Sequence, residues 1–231
     1  MKKMFYMFMF LAAAMFAGCA PSTASAVDMS VTAGADTNFV FRGQTMSQRG
    51  ISANAGAKLD AAGFYVADTT HTVSFANSST NLLNVAEVGY GAKVIGVDFD
   101  GGYTYYAFTG GATNGVAASN ANFGEAFAQA SAYGVTAKYA KKVNVPVGSN
   151  SKDQYGRLSY STKFLDKFSA TAGIEQVKYQ TSNVRDTNVD LTAGYDVSKN
   201  LLTYVSYVHA GNSVSGIKMA NQVDVGAKYT F

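Results

Sequence analysis

The chain has 231 residues, of which 48% are hydrophobic and only 14% are charged. One cysteine excludes an intrachain disulfide, and two histidines are too few for a typical zinc site. The formal net charge of +3 gives no support for nucleic-acid binding. The length is compatible with one or two domains.

The first 26 residues predict a cleaved export signal. Lys2 and Lys3 precede an apolar run over 4–20, and Ala24 and Ala26 supply the small residues that a signal peptidase reads. A membrane anchor is the alternative, but small polar residues follow the run and no second apolar helix appears. Cleavage leaves a mature domain of residues 27–231 with 16 basic and 15 acidic groups.

A second processing site competes with the first. The segment Ala17-Gly18-Cys19 resembles the lipobox of bacterial lipoproteins, in which the cysteine is lipidated and begins the mature chain. Phe16 stands where that motif usually has leucine. We favour cleavage after Ala26, with lipidation at Cys19 as the alternative.

Beyond residue 27 the hydrophobic pattern has a period of two, which predicts β-strands. In the last segment the apolar residues are Val223, Val225, Ala227, Tyr229 and Phe231. The same pattern predicts twelve strands. The first is expected to continue to Phe41, with Phe39 and Phe41 on its apolar face and Arg42 near its outer end.

The predicted connections alternate in length. Short turns are expected at 60–63, 95–96, 133–134, 165–167 and 198–200, and longer polar loops at 44–50, 77–84, 109–122, 146–154, 180–187 and 211–220. Outer-membrane barrels have short periplasmic turns, long external loops and an even strand number. We therefore predict an all-β, antiparallel, up-and-down transmembrane barrel in the outer membrane of a Gram-negative bacterium.

A soluble β-sandwich or barrel is the alternative fold. Soluble sheets keep their exposed faces charged, whereas here nearly all strand charge lies on one face and the other is apolar, with Lys141 as an exception. A closed sheet also leaves no unpaired backbone edge in lipid. The pattern favours the membrane barrel.

The polar face predicts a charged lumen. Its predicted cations are Arg42, Lys58, Lys93, Lys138, Lys142, Arg157, Lys163 and Lys228. Its predicted carboxylates are Asp36, Asp68, Glu87, Asp98, Asp100, Glu125, Glu175, Asp190, Asp196 and Asp224. The two sets nearly cancel, so no strong ion selectivity is expected. Arg42 is predicted to lie beside the last strand, paired with inward carboxylates, either at a constriction or as a wall residue that only satisfies those carboxylates.

Several short motifs resemble the TorF-type porin family of proteobacterial outer-membrane barrels. They are Asn38-Phe39-Val40-Phe41-Arg42-Gly43, Gly63-Phe64-Tyr65, Val88-Gly89-Tyr90 and Gly102-Tyr103-Thr104-Tyr105-Tyr106. Their order follows most of the mature chain, although this chain lacks the tryptophans usual in that family. The resemblance implies an outer-membrane barrel with a pore and supplies no substrate.

Two functions follow from these patterns. The first is a porin-like channel for passive diffusion of ions and small polar solutes, and the second is a structural or surface-interaction barrel with a closed lumen. We predict no enzyme, cofactor or metal site, because His71 and His209 are isolated and Asp98 and Asp100 fit a pore wall. Outer-membrane lipid and the barrel-assembly machinery are the expected partners, since Tyr229 and Phe231 resemble the terminal signal that this machinery reads.

Overall fold

The computed structural model describes residues 27–74, 81–110, 122–144, 152–180, 185–211 and 221–231. The predicted signal over 1–26, Cys19 and parts of the long loops lie outside the described residues, so these sequence predictions stay predictions.

Twelve antiparallel strands form one closed barrel, in which β1 pairs with β4 on one side and with β14 on the other. The wall strands are β1 (Val27–Asp36), β4 (Ser52–Ala61), β5 (Phe64–Val73), β6 (Asn81–Val94), β7 (Val97–Thr109), β8 (Phe123–Ala132), β9 (Val135–Asn144), β10 (Gln154–Phe164), β11 (Phe168–Lys178), β12 (Arg185–Asp196), β13 (Leu201–His209) and β14 (Gln222–Thr230). Two short strands, β2 (Val40–Phe41) and β3 (Gln44–Thr45), pair separately. The predicted strand number and closed barrel are confirmed.

Three of the five short turns share one local geometry. Each consists of a residue followed by glycine, both at positive φ, which is the backbone of a type I′ hairpin turn. They are Ala62-Gly63 (φ 52° and 87°), Ile95-Gly96 (49° and 80°) and Tyr133-Gly134 (51° and 83°). This turn matches the twist of the flanking strands, so adjacent strands continue in antiparallel register.

The outer surface of the wall is apolar and carries aromatic rings at the short-turn end. Phe168 lies between Phe164 and Tyr195, with centroid distances of 5.7 and 5.0 Å. Tyr229 faces outward on β14 and its ring lies 4.8 Å from that of Phe231, whose backbone N–H donates to Val31 O at 2.9 Å. An apolar band with interfacial aromatics is typical of transmembrane barrels. No helix among the described residues is long and apolar enough to cross a membrane.

The first strand is shorter than the sequence pattern predicts. β1 ends at Asp36, and the chain then leaves the wall, so Phe39 and Phe41 do not face lipid. Instead both rings pack on a buried cluster inside the barrel. Period-two alternation continues through this segment because β2 and β3 are also extended, and it therefore cannot mark the residue at which the wall ends.

Asp68 lies on the outer face, and its predicted place in the lumen is wrong. It is paired across the sheet with Ala57 and Ala86, whereas its neighbours in sequence, Ala67 and Thr69, belong to the inward set.

The register of β13, which is apolar on both faces, is also set by pairing. Tyr204, opposite Gly226, points inward, and Val205, opposite Val225, points outward.

Candidate functional site

Residues 37–51, here called the inner hairpin, fold into the barrel from its long-loop end. The strands β2 and β3 pair through Val40 with Thr45 and through Phe41 with Gln44. Arg42 and Gly43 form the turn, with φ of 52° and 77°. This is the same positive-φ pair as in the short turns of the wall. The conformation favours glycine at the second position, because a side chain there would be strained.

Hydrogen bonds fix both the base and the turn of the inner hairpin to the last strand. The Asn38 backbone N–H donates to Asp224 Oδ1 at 2.9 Å, and the Asn38 amide donates to Gln222 Oε1 at 2.9 Å. Gln222 in turn donates to the carbonyl of Gly43 at 3.0 Å. Asn38, Gln222 and Asp224 are all buried, so this network is shielded from solvent.

Apolar packing holds the opposite side of the inner hairpin. The Phe39 ring stacks on His71 with centroids 4.2 Å apart and planes 9° apart. Met46, which is buried, packs with a cluster that includes Leu83 and Phe108 from β6 and β7. The inward Phe108 therefore serves as a docking surface for the hairpin rather than as a wall residue of an open pore.

The side chain of Arg42 connects the inner hairpin to β8 across the lumen. Its guanidinium donates to both carboxylate oxygens of Glu125, at 2.8 and 2.5 Å. The side chains are 12% and 2% exposed, and the guanidinium also lies 4.4 Å from the Tyr155 ring centroid. Burial by itself lowers the pKa of Arg42, but its hydrogen bonds to Glu125 and the charge of that carboxylate raise it above the ordinary value.

The placement of Arg42 differs from the one expected from the sequence. The side chain does point into the lumen, but it starts from the turn of the inner hairpin rather than from the first strand. Gly43 in that turn is bound by Gln222 of the last strand, whereas the Arg42 side chain pairs with Glu125 on β8. β8 is separated from β1 by five strand-to-strand steps in one direction and by seven in the other. The Arg42–Glu125 pair therefore joins nearly opposite sides of the barrel.

Most other lumen cations form ion pairs with inward carboxylates on the wall or at its mouth. These pairs are Lys58–Asp60 (2.7 Å), Lys93–Asp98 (3.4 Å), Lys142–Asp153 (2.8 Å), Arg157–Asp190 (2.8 Å), Arg157–Glu175 (3.5 Å) and Lys163–Asp196 (2.9 Å). Lys138 lies 4.4 Å from the centroid of the inward Phe127 ring, and Lys228 lines the same cavity as Asp224.

Several carboxylates are held by uncharged groups instead. The Tyr65 hydroxyl lies 3.1 Å from Glu87 Oε1 and 3.0 Å from Asp100 Oδ1. Asp36 accepts hydrogen bonds from Asn54 and Tyr204. These acids carry negative charge into the lumen without a cationic partner at salt-bridge distance among the described residues.

The described part of the lumen is acidic rather than balanced. The register adds Asp28, Asp60, Asp153 and Asp186 to the inward carboxylates, and it removes Asp68. Thirteen carboxylates therefore lie in the described lumen and at its mouth, against eight lumen cations and the exposed Arg49 of the inner hairpin. The prediction that positive and negative lumen charges nearly cancel is wrong, because the alternation of apolar and polar residues did not assign a face to acids at strand ends and in loops.

Two cavities lined by described residues lie inside the barrel. The larger, of about 680 Å³, is bounded by the inner hairpin and by wall residues that include Lys138, Arg157, Glu175 and Asp190. The smaller, of about 390 Å³, lies at the short-turn end and is lined by charged residues that include Lys58, Lys93, Asp98 and Asp100. Both are lined by side chains of both signs, as expected of a water-filled passage.

The histidines do not assemble a catalytic group in the described structure. His71 stacks on Phe39, and its Nδ1 has no hydrogen-bond partner among the described residues. His209, at the end of β13, has its Nδ1 2.8 Å from the Asn221 amide oxygen. Among the described residues, no group of three or more His, Cys, Asp or Glu is arranged to hold a metal ion.

The barrel is similar to solved structures of porins. A structure described as the KdgM porin is 13% identical, covers 87% of this chain and 99% of its own, and has a TM-score of 0.59. The KdgM porin in complex with disordered oligogalacturonate has 12% identity, coverage of 89% and 99%, and a TM-score of 0.55. The NanC porin has 11% identity, coverage of 87% and 99%, and a TM-score of 0.53.

These similarities establish the fold. No protein-family model and no curated protein matches the chain. The resemblance to the TorF-type family therefore stays a prediction.

Proposed function

We propose that the protein is an outer-membrane channel for passive diffusion of ions and small polar solutes, and that the inner hairpin sets its aperture. The observation that carries this proposal is a closed barrel whose interior is polar, charged and hollow, while its exterior is apolar. Barrels of about 8 strands are filled by side chains and those of about 16 hold open channels. A twelve-stranded barrel suits a narrow passage.

The proposed orientation places the short turns in the periplasm and the long loops outside the cell, as in other outer-membrane barrels. The chain would reach this membrane through the predicted signal over 1–26 and the barrel-assembly machinery. Tyr229 and Phe231 would be read by that machinery. We propose that the mature chain performs no catalysis.

We further propose that the channel prefers cations. Rings of carboxylates favour cations in pores, and the described lumen carries more carboxylates than cations. Glu87 and Asp100 add negative charge at the smaller cavity, where Tyr65 rather than a cation contacts them. Oligogalacturonate, which is named with one of the similar structures, is a polyanion and does not suit this lumen.

A barrel with a closed lumen is the second candidate. The inner hairpin favours it, because the hairpin is anchored on β14 through Asp224, on β8 through Glu125 and next to β5 through the Ser74 N–H bond to Met46. A hairpin bound on three sides can close a lumen as well as narrow it.

Current recordings in a planar bilayer distinguish the open channel from the barrel with a closed lumen. The mature chain, with folding checked by the shift in gel mobility on boiling, is added to one side of a membrane under a KCl gradient. The channel proposal predicts discrete current steps and a reversal potential of the sign expected for K⁺ preference. A folded barrel without steps would support the closed lumen, and a Cl⁻-selective reversal potential would contradict the proposed preference.

The role of the hairpin is tested with paired substitutions. Arg42→Ala together with Glu125→Gln removes the contact that joins the hairpin to β8 without leaving a buried charge, and we expect larger or noisier current steps. Lys163→Ala is the matched control, because the ion pair it breaks with Asp196 is far more exposed, at 68% and 30%. Equal conductance in all three proteins would contradict the assignment of the hairpin as the constriction.

A further inference from the structure

Three cations project outward from the barrel at its long-loop end, although most strand charge faces the lumen. Lys141, Lys178 and Arg185 lie in one row with Gln154, because Gln154 pairs with Lys141 on one side and with Lys178 on the other, and Lys178 pairs with Arg185. We call these four residues the cation row. They lie on the adjacent strands β9, β10, β11 and β12.

The cation row brings like charges together on adjacent strands. Adjacent strands are about 4.8 Å apart, and like charges directly opposite each other across a sheet are destabilising. Lys178 and Arg185 are such a pair. No carboxylate among the described residues forms an ion pair with Lys141, Lys178 or Arg185, since the nearby Asp153 and Asp186 are buried on the lumen side. An external anion would relieve this repulsion.

The depth of the row is fixed by the aromatic girdle on the same strands. Phe164, Phe168 and Tyr195 form the corresponding row at the short-turn end. Phe164 follows Gln154 by ten residue steps along β10. With a rise of about 3.4 Å per residue and a tilt of about 40°, that length spans about 26 Å along the barrel axis. The apolar band of such barrels is about 25 Å tall, so the cation row lies at the opposite membrane interface.

From the cation row toward the middle of the membrane, the outward rows change from polar to apolar. The next outward row contains Gln176 and Thr187, which are joined by a hydrogen bond of 3.3 Å. The row after that contains Leu158, Ile174 and Val189. The cation row and the Gln176–Thr187 pair together present positive charge and hydrogen-bond donors where hydrocarbon gives way to headgroups.

On the described strands, the outward lysine and arginine side chains at the long-loop end lie on β9, β11 and β12. At the same end of β4, β5, β6, β7 and β14, the outward residues are Ala53, Thr72, Leu82, Ala107 and Val223. These residues are uncharged, so the row is a localised patch rather than a uniform rim.

We propose that the cation row is a binding site for the phosphate groups of a lipid headgroup in the membrane leaflet at the long-loop end. Lys141 and the Lys178–Arg185 pair would contact the phosphates, Gln154 and the Gln176–Thr187 pair would hydrogen-bond to the headgroup, and the apolar rows below would contact the acyl chains. In the proposed orientation this is the outer leaflet. The site is on the outer wall and does not depend on whether the lumen conducts.

Lipid binding is measured directly on the folded mature chain in a neutral detergent. Fluorescent lipopolysaccharide, which carries phosphates on its lipid, is titrated with protein, and its anisotropy is recorded. Wild-type protein is compared with Lys178→Gln/Arg185→Gln. The matched control is Lys167→Gln/Lys199→Gln, which removes two cations at the short-turn end. Unlabelled dephosphorylated lipopolysaccharide and inorganic phosphate are added as competitors.

The test variant is expected to bind about 30-fold more weakly, because each cation near an anionic membrane surface contributes about 1 kcal/mol. The control is expected to bind as the wild type does, and neither competitor is expected to displace the probe. Equal binding by the test variant, equal loss in the control, displacement by the dephosphorylated lipid, or no binding by the wild type would overturn the proposal. Displacement by inorganic phosphate would show that the row binds a free anion rather than a lipid, and this result would also overturn the proposal.

If the double substitution prevents folding, Lys141→Gln is the second variant, since Lys141 is exposed and has no ion pair among the described residues. Weaker binding by this variant, at an unchanged gel-mobility shift on boiling, supports the site, and unchanged binding contradicts it.

Discussion

Replacing Arg42 with alanine should release the inner hairpin from β8 without unfolding the barrel. Glu125 is 2% exposed and accepts two hydrogen bonds from Arg42. Removing one partner of a buried ion pair costs about 3–5 kcal/mol, because the other charge is left buried and alone. Each step of about 1.4 kcal/mol changes an equilibrium tenfold, so opening of the hairpin should become about 100-fold more frequent or more.

Backbone hydrogen exchange measures this opening directly, since exchange through local unfolding reports the free energy of that step. The Met46 N–H, which donates to the Phe39 carbonyl at 2.7 Å, belongs to the peptide that should exchange faster. Amides of the paired strands β10 and β11 should keep their protection. Lys163→Ala is the matched control, because exposed pairs contribute about 1 kcal/mol or less.

A second substitution tests whether the unpaired Glu125 carboxylate causes the faster opening of the hairpin. In Arg42→Ala/Glu125→Gln the pair is lost but no buried charge remains, so hairpin exchange should be at least about tenfold slower than in Arg42→Ala alone. Equal exchange in the single and double variants would refute the role of the unpaired carboxylate. Unchanged exchange in Arg42→Ala would refute the reasoning as a whole.

Three further substitutions test other parts of the structure. Gly43→Ala should destabilise the inner hairpin by about 1–2 kcal/mol through its positive φ and raise hairpin exchange, whereas Gly96→Ala, in a turn with open space around it, should leave hairpin exchange unchanged. Glu87→Gln should modestly lower the K⁺/Cl⁻ permeability ratio from reversal potentials, while Asp68→Asn, on the outer face, should not alter it. Phe231→Ser should reduce the amount of barrel in outer-membrane fractions more than the conductance of purified protein, and equal membrane levels would contradict a role in assembly.

Sequence alone determined the wall of the barrel. Twelve strands, their short turns and the separation of apolar from polar faces follow from period-two alternation, because each strand of a closed sheet exposes one face to lipid and the other to the lumen. Of the cation row, alternation alone indicates only Lys141, which breaks the apolar face of its strand. Lys178 and Arg185 lie at strand ends, where alternation does not set the face.

The interior was decided by tertiary structure. Arg42 pairs with Glu125, 83 residues away, and Asn38 binds Asp224, 186 residues away. No local pattern specifies such contacts, because they depend on which strands the closed barrel brings to opposite sides. One local signal was present: Arg42-Gly43 has the residue-glycine form of three short turns in the wall. That signal marks a hairpin, but only the packing of Phe39 and Met46 decides that the hairpin folds inward.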